Sequence, residues 1–591
     1  MSLVGRVGRK RFRARMVLII IYSLLGLGAV TTLYPFMLMA STGFKGPTDQ
    51  NDNKLIPTYF QKVDGLDKGK PDDKALLGKY LADKYAGDAS MITSTRTGPA
   101  ASQENIQKYE AFLKQLPVDY WAAGFKIGPS QITSRLIKRY RDWLQQKYGT
   151  IDAVNRAYID ENVGFQTLIP PAELLEKPNW KQPNTLKYRE WRQFKQTLPA
   201  EFRIPIRETR LFQEFLRSKF QNQFDQVPKE LAGAATAFEQ IQFPFSSKSR
   251  AVKDLLVEFT TKALPARYRM GAAEERWRGF LGLPPRISRW NVDDMPIASN
   301  ADGPNKAAGE SSGDLSVPPL RVPKGTASGV PHAVPLTPVV IPPRQATPPM
   351  PIEAYERNLV RARAPRIRSE FASRNFAYVF QYIALNGRAL WNTAIFCLLA
   401  ILTQLTVNPL AAYALSRYPI RASGKILIFL LATMAFPAEV AMIPGFLLLK
   451  QLHLLNTFAA LVLPTAASGY MIFLLKGFFD SLPQELFEAG QIDGAKEITM
   501  MTKIALPLSR PVLGYLALLA FMGAYGAFLY AFLVVQDQKM WTLMVWIYQL
   551  QNTAPKAVIM AALTIAAIPT LLVFLLAQRT IMRGIVLPSE R

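Results

Sequence analysis

Residues Asp480 to Arg510 read DSLPQELFEAGQIDGAKEITMMTKIALPLSR and differ in character from everything on either side of them. Polar and apolar residues alternate too closely for a membrane span, and the pattern is that of an amphipathic helical hairpin. Glu488 to Ala495 opens helix-like, Gly494 interrupts it, and Pro507 is expected to end it, giving two short helices joined at a glycine. The flanks are long apolar runs, so the hairpin belongs on one face of a membrane unit.

Six apolar runs have the length, about 20 residues of helix, that crosses a hydrocarbon core roughly 30 Å thick. They are Met16–Ala40, Leu390–Leu415, Ile426–Leu449, Leu455–Phe478, Val512–Val535 and Val558–Ala577. The first is too long for a cleavable signal and ends in the bulky YPFMLMAST, not in a small-residue cleavage site. Positive charge then orients them. The tail carries Arg6, Arg9, Lys10, Arg11, Arg13 and Arg15, which places it in the cytoplasm. Threading from there puts Arg417, Arg421, Lys425, Lys476, Lys496, Lys503, Arg510, Arg579, Arg583 and Arg591 inside as well. Only Arg388, Lys450, Lys539 and Lys556 fall in short outer loops. Both termini are thus expected in the cytoplasm of a bacterial inner membrane, with the 480–510 hairpin on the same side. Arg361, Arg363, Arg366, Arg368 and Arg374 fall outside, but a long translocated segment is largely exempt from the rule.

Composition agrees with two unlike parts. The chain of 591 residues carries a formal net charge of +26, yet its mean hydropathy is +0.06. Residues 43–375 hold a net +14 and the remainder +12. Cys397 is the single cysteine and His332 and His453 the two histidines, which excludes a disulfide framework, a thiolate cluster and a multi-histidine metal site.

The hairpin matches the coupling-loop signature of importer permeases of the ATP-binding cassette class: Glu-Ala-Ala, three residues, Gly, nine residues, Ile, one residue, Leu-Pro. Here Glu488-Ala489-Gly490 leads through Asp493 and Gly494 to Ile504 and Leu506-Pro507. Gly490 departs from the usual alanine, which loosens the first helix by up to roughly 1 kcal/mol. Tyr34–Lys45, Asn392-Thr393, Phe436–Thr457 and Gln578–Gly584 further resemble the carbohydrate-uptake subgroup, such as the second membrane subunit of the maltose importer. That resemblance covers residues 12–45 and 375–587. It implies an all-α polytopic membrane protein with six transmembrane helices, in which Glu488 supplies a charged contact to a separate ATPase and Gly494 the bend. It also implies a second permease subunit, an ATP-binding subunit dimer, an extracytoplasmic solute-binding protein and surrounding lipids as partners, and a sugar or oligosaccharide as cargo. The chain has no phosphate-binding loop. ATP and Mg are therefore expected only in the partner, with no cofactor, metal or catalytic residue in this chain.

Polar residues within the spans, Asn392, Gln404, Asn408 and Glu439, face either a translocation pathway or a neighbouring helix. The organisation expected is a basic tail over 1–15, a first span over 16–42, an extracytoplasmic, mainly helical insertion over 43–295, a Pro-rich linker and basic segment over 296–375, and a five-helix core over 376–591.

The family does not account for the insertion. Helical patterns run over Ser130–Tyr148 with Gly149 as a stop, Ile151–Asp160, Lys187–Phe220 broken at Pro199 and Pro205, and Arg250–Leu264. Tyr140–Pro171 resembles a helical segment of some β-galactosidase-type hydrolases. Glu173, Glu176, Glu190 and Glu208 read as solvated helix charges, since no barrel pattern is visible to hold a carboxylate pair. A second reading therefore makes the insertion a membrane-anchored glycan-binding or glycan-processing domain on a transport-inactive scaffold. The basic excess fits anionic glycans or lipid head groups, and nucleic acid is not expected on that side of a membrane.

Overall fold

The computed structural model describes residues 12–60, 63–64, 71–72, 74–86, 101–126, 134–162, 164–244, 249–269, 271–284, 348–382, 388–433, 435 and 437–584. The Pro-rich part of the expected linker with His332, most of the basic tail, and Phe436 lie outside them. The chain divides into two units: Met1–Lys79 with Gly128–Thr133 and Arg363–Arg591, and Tyr80–Ile127 with Ser134–Ala362.

The first unit is helical and apolar. Its helix Ala389–Arg417 packs against Gly469–Asp480 and Arg510–Gly526, and Lys556–Gly584 packs against Phe12–Gly43 and Arg510–Gly526. Gly469 permits one of the closest approaches: a Cβ there would collide with the Leu430 carbonyl oxygen, so the short Ser423–Thr433 helix can lie against Gly469–Asp480.

Six continuous spans are not what the described residues form. Three helices are long and apolar enough to cross a membrane: Leu18–Gly43, Ala389–Arg417 and Lys556–Gln578. Two more arise only as bent pairs, Phe458–Thr465 with Gly469–Asp480 at 51° and Glu497–Leu508 with Arg510–Gly526 at 83°. The run expected over Ile426–Leu449 is split into Ser423–Thr433 and Ala438–Gln451. Pro437 precedes the second piece as its N-cap, with extended backbone at ψ 126°. The run expected over Val512–Val535 likewise breaks at Ala527, between Arg510–Gly526 and Phe528–Val534.

The second unit has its own core, built around Phe212, Phe259, Leu216 and Tyr268. Its helices follow the sequence closely: Arg135–Tyr148 starts at Ser134, whose hydroxyl accepts from the Ile137 amide, and stops at Gly149 with φ +71°. Pro199 and Pro205 bracket a short turn and the strand Arg203–Pro205, which pairs antiparallel with Trp121–Ala123. Residues 352–375, the expected basic segment, form most of the helix Ile352–Val379.

The four carboxylates expected as solvated helix charges are not exposed: Glu190 and Glu208 are buried, and Glu173 and Glu176 are partly buried. Glu190 is buried and accepts from Lys147 Nζ at 2.8 Å, Tyr148 Oη at 2.7 Å and Tyr158 Oη at 2.7 Å. Glu208 is buried and accepts from the Ala272 amide at 2.6 Å. Glu173 pairs with the fully buried Lys195 at 3.0 Å, and Lys84 pairs with Glu356 where both are buried. Each of these carboxylates is held by a named donor or cation of the unit.

Burial works against ionisation of Glu190, but its three donors outweigh it and hold its carboxyl below the ordinary range. Its stabilising contribution is therefore present above the unfolded carboxylate pKa and lost as pH falls through the lowered native value. Glu190→Gln should destabilise this unit by roughly 2 kcal/mol at pH 7. Chemical denaturation followed by tryptophan fluorescence measures it, and the gap to the native protein should close on acidification below about pH 4.

Candidate coupling surface and intramembrane polar residues

The hairpin is built on one helix terminus. The helix Glu485–Ile492 ends at Asp493, with Gly494 following at φ +74°. The Gly494 amide donates to Gln491 O at 3.0 Å and the Ala495 amide to Gly490 O at 2.9 Å. These two bonds make a Schellman turn, which needs a left-handed residue at the glycine position. The chain then reverses into Glu497–Met500, passes through a wider turn over Met501–Ala505, and ends as a helical turn at Leu506–Leu508. Pro507 does not stop this segment as expected. It sits within the last turn, one residue before the segment ends at Leu508, and the 83° bend follows between Leu508 and Arg510.

One face of the hairpin is locked to its own membrane helices. Phe487, Met500 and Ala505 are buried with Ala412, Tyr413, Leu475 and Phe479, and Ile504 and Leu506 pack against the same cluster. The Arg417 guanidinium stacks 3.7 Å from the Phe487 ring and donates to Phe479 O at 2.6 Å. Tyr413 Oη donates to Glu497 Oε2 at 3.1 Å, and Ser416 Oγ to Asp480 Oδ1 at 2.6 Å. Each of these contacts joins the hairpin or its entry to the helix Ala389–Arg417.

The other face is bare. Ile492 is 87% exposed and Ile498 74% exposed, and around them Glu485, Glu488, Asp493 and Lys496 are also exposed. Glu488 accepts from Gln484 Nε2 at 2.9 Å, one turn earlier on the same helix. Ala489 is exposed beside it. Gly490 faces inward: a Cβ there would lie 3.3 Å from Ile504 Cδ1 and 3.6 Å from Met500 Cγ, the ends of flexible side chains. The signature spacing located the hairpin but missed Tyr413, Arg417, Phe487, Ile492 and Ile498. For the two isoleucines the signal was present, as apolar residues flanking the turn in an otherwise polar stretch.

The four polar residues of the spans separate. Asn392 Nδ2 donates to Lys539 O at 2.9 Å and Trp541 O at 3.1 Å. Asn408 Nδ2 donates to Gln404 O at 2.8 Å, and its Oδ1 accepts from the Ser468 amide at 2.8 Å. Gln404 is buried one turn before Asn408. Glu439 is exposed in the first turn of Ala438–Gln451, next to the break at Pro437.

The family model described as binding-protein-dependent transport system inner membrane component matches residues 407–586. The sn-glycerol-3-phosphate transport system permease protein UgpE of Yersinia pestis bv. Antiqua (strain Antiqua) is 34% identical over 206 residues, which is 34% of this chain and 73% of that protein. Protein LplC of Bacillus subtilis (strain 168) is 32% identical over 30% of this chain and 66% of its own length. A crystal structure of a bacterial ABC transporter involved in the import of the acidic polysaccharide alginate is similar over 35% of this chain and 78% of that one, at 24% identity and a TM-score of 0.32. The chain belongs to the binding-protein-dependent transport system inner membrane component family. Its relatives are transport permeases and not enzymes.

Two substitutions test the hairpin's construction. Gly494→Ala places a Cβ at positive φ and should cost about 1 kcal/mol, speeding hydrogen exchange of the 485–500 amides severalfold. Gly490→Ala gains helix propensity against side-chain ends that can yield, and should slow the same exchange. Unchanged exchange in Gly494→Ala would count against the turn as the hairpin's organiser.

Proposed function

We propose that this chain is a permease subunit of an ATP-driven importer for a sugar or sugar-derived solute. In this reading it works by alternating access beside a second permease, receives cargo from an extracytoplasmic solute-binding protein, and is driven by an ATPase subunit dimer seated on the 480–510 hairpin. ATP and Mg belong to that dimer. Both termini and the hairpin face the cytoplasm, and the block over 43–375 lies outside between the first and second spans.

The observation that carries the reading is the hairpin's two-sidedness. Its inner face is fastened to Ala389–Arg417 through Phe487, Arg417, Tyr413 and Glu497, while Ile492, Ile498 and the carboxylates of Glu485, Glu488 and Asp493 stand free. A partner pushing on the free face moves the fastened one, and with it the end of a membrane helix. Asn392 and Asn408 then stabilise helix junctions, and Glu439 and Gln404 are the first candidates to line the pathway. The carbohydrate assignment rests on the subgroup resemblance and on the similarity to UgpE.

Glu488→Arg should abolish uptake, and with it the stimulation of ATP hydrolysis by loaded binding protein in the reconstituted complex, while membrane insertion persists. Transport at the native rate in that variant would sink the coupling role. Deleting residues 50–350 separates this reading from a glycan-directed insertion on an inactive scaffold. Uptake that survives the deletion favours the importer, and uptake absent from the intact chain favours the alternative.

A further inference from the structure

The second unit holds a cavity of about 160 Å³ whose wall includes Lys84, Lys126, Arg207, Arg210, Glu176 and Tyr85. This is far more room than one water requires, and the charged lining is predominantly cationic. Most of those cations are already answered. Lys84 pairs with the buried Glu356, Arg210 contacts Glu214 at 3.3 Å, and Arg207 and Glu176 each have a partner as well.

Lys126 is the exception. Among the described residues no carboxylate lies within ion-pairing distance of it. Its ammonium donates to Pro171 O at 2.8 Å and lies 5.4 Å from the centre of the Trp191 ring. A carbonyl takes one of its three N–H donors and the ring face attracts its charge, which leaves donor capacity at the cavity wall with no anion to receive it. A part-buried cation with no directly paired carboxylate is costly, and an oxyanion in the cavity would supply both a paired charge and the missing acceptors.

We propose that this cavity is a binding site for a small oxyanion, a carboxylate or phosphate carried on a ligand of about monosaccharide size, with Lys126 as its principal counter-charge and Arg207 and Arg210 as flanking donors. The site lies wholly in residues that the family match over 407–586 does not reach, so it stands or falls apart from the permease reading. Burial, with Lys195 nearby, pushes the Lys126 ammonium down to about 8 against the opposing pull of Glu173. The anion-binding form is therefore the majority at pH 7 and is lost as pH rises past 8. Binding near pH 8 should accordingly take up protons from the buffer.

Isothermal titration of the full-length chain in detergent tests this, using D-glucuronate, inorganic phosphate and, as the uncharged control, D-glucose. Saturable binding of glucuronate alone assigns a carboxylate ligand, and binding of phosphate, with or without glucuronate, assigns a phosphate-accepting site. Glucose should not bind in either case. Affinity should weaken about tenfold or more in Lys126→Met. It should also weaken in Lys126→Gln, which keeps a donor for Pro171 O and removes only the charge. The heat of binding at pH 8 should change with the ionisation enthalpy of the buffer in the native chain and not in either variant. Absence of saturable binding by both anions in the millimolar range, or equal affinity in Lys126→Gln and the native chain, would overturn the assignment.

Discussion

Wherever a helix breaks in apolar surroundings, the amides and carbonyls it releases must find another partner, because neither lipid nor packed side chains will hydrogen-bond them. In the first unit that partner is repeatedly an asparagine or a threonine. Asn408 Oδ1 receives the Ser468 amide at the head of Gly469–Asp480, and Asn456 Oδ1 receives the amides of Gln536 and Asp537 at 2.7 and 2.8 Å. Thr393 Oγ1 receives the Leu543 amide at 2.8 Å, where the helix Leu543–Gln551 begins. Asn392 and Asn375 do the converse, each donating to two backbone carbonyls at or just beyond the end of a helical segment. The membrane unit can be segmented because these side chains close its open ends.

Segmentation matters for how the hairpin is held. A straight span would pass from Gly526 back to the loop without changing direction. Here the Arg510–Gly526 helix meets the loop at 83°, with the buried Ser509 hydroxyl donating to Ala505 O at 2.7 Å. The hairpin therefore lies across the end of the bundle and reaches Tyr413 and Arg417 on a different helix. The stack of Arg417 on Phe487 and the hydrogen bond from Tyr413 to Glu497 are directional, so displacement of the hairpin cannot be absorbed by sliding alone.

Much of this was legible in the sequence, and the part that was not has a physical reason. Spacing found the hairpin because the turn at Gly494 is a local device: its two hydrogen bonds span no more than five residues. Hydropathy counted six spans because a window average sums composition and does not register that the apolar run restarts at Pro437, the extended N-cap of a second helix. The long-range contacts were invisible to either method. Tyr413 and Glu497 are 84 residues apart, and Glu190 draws its donors from 32 to 43 residues away. A carboxylate in a helix of mixed polarity reads as solvated until those donors are placed around it.

The same distinction changes what the net positive charge means. Counted along the sequence, the basic excess of residues 43–375 reads as a surface field that could draw in a polyanion. In the fold of the second unit, several of those cations are not on the surface. Lys84 and Lys195 are buried against Glu356 and Glu173, Arg278 is buried, and Arg203 is bound to the carbonyls of Leu113, Lys114 and Leu198. Such groups exert little field at a distance, because their charge is matched within a few ångströms or oriented into backbone dipoles. What remains for recognition is local: a cation lining a cavity whose acceptor among the described residues is a carbonyl, as at Lys126, says more about a ligand than the sum of the charges around it.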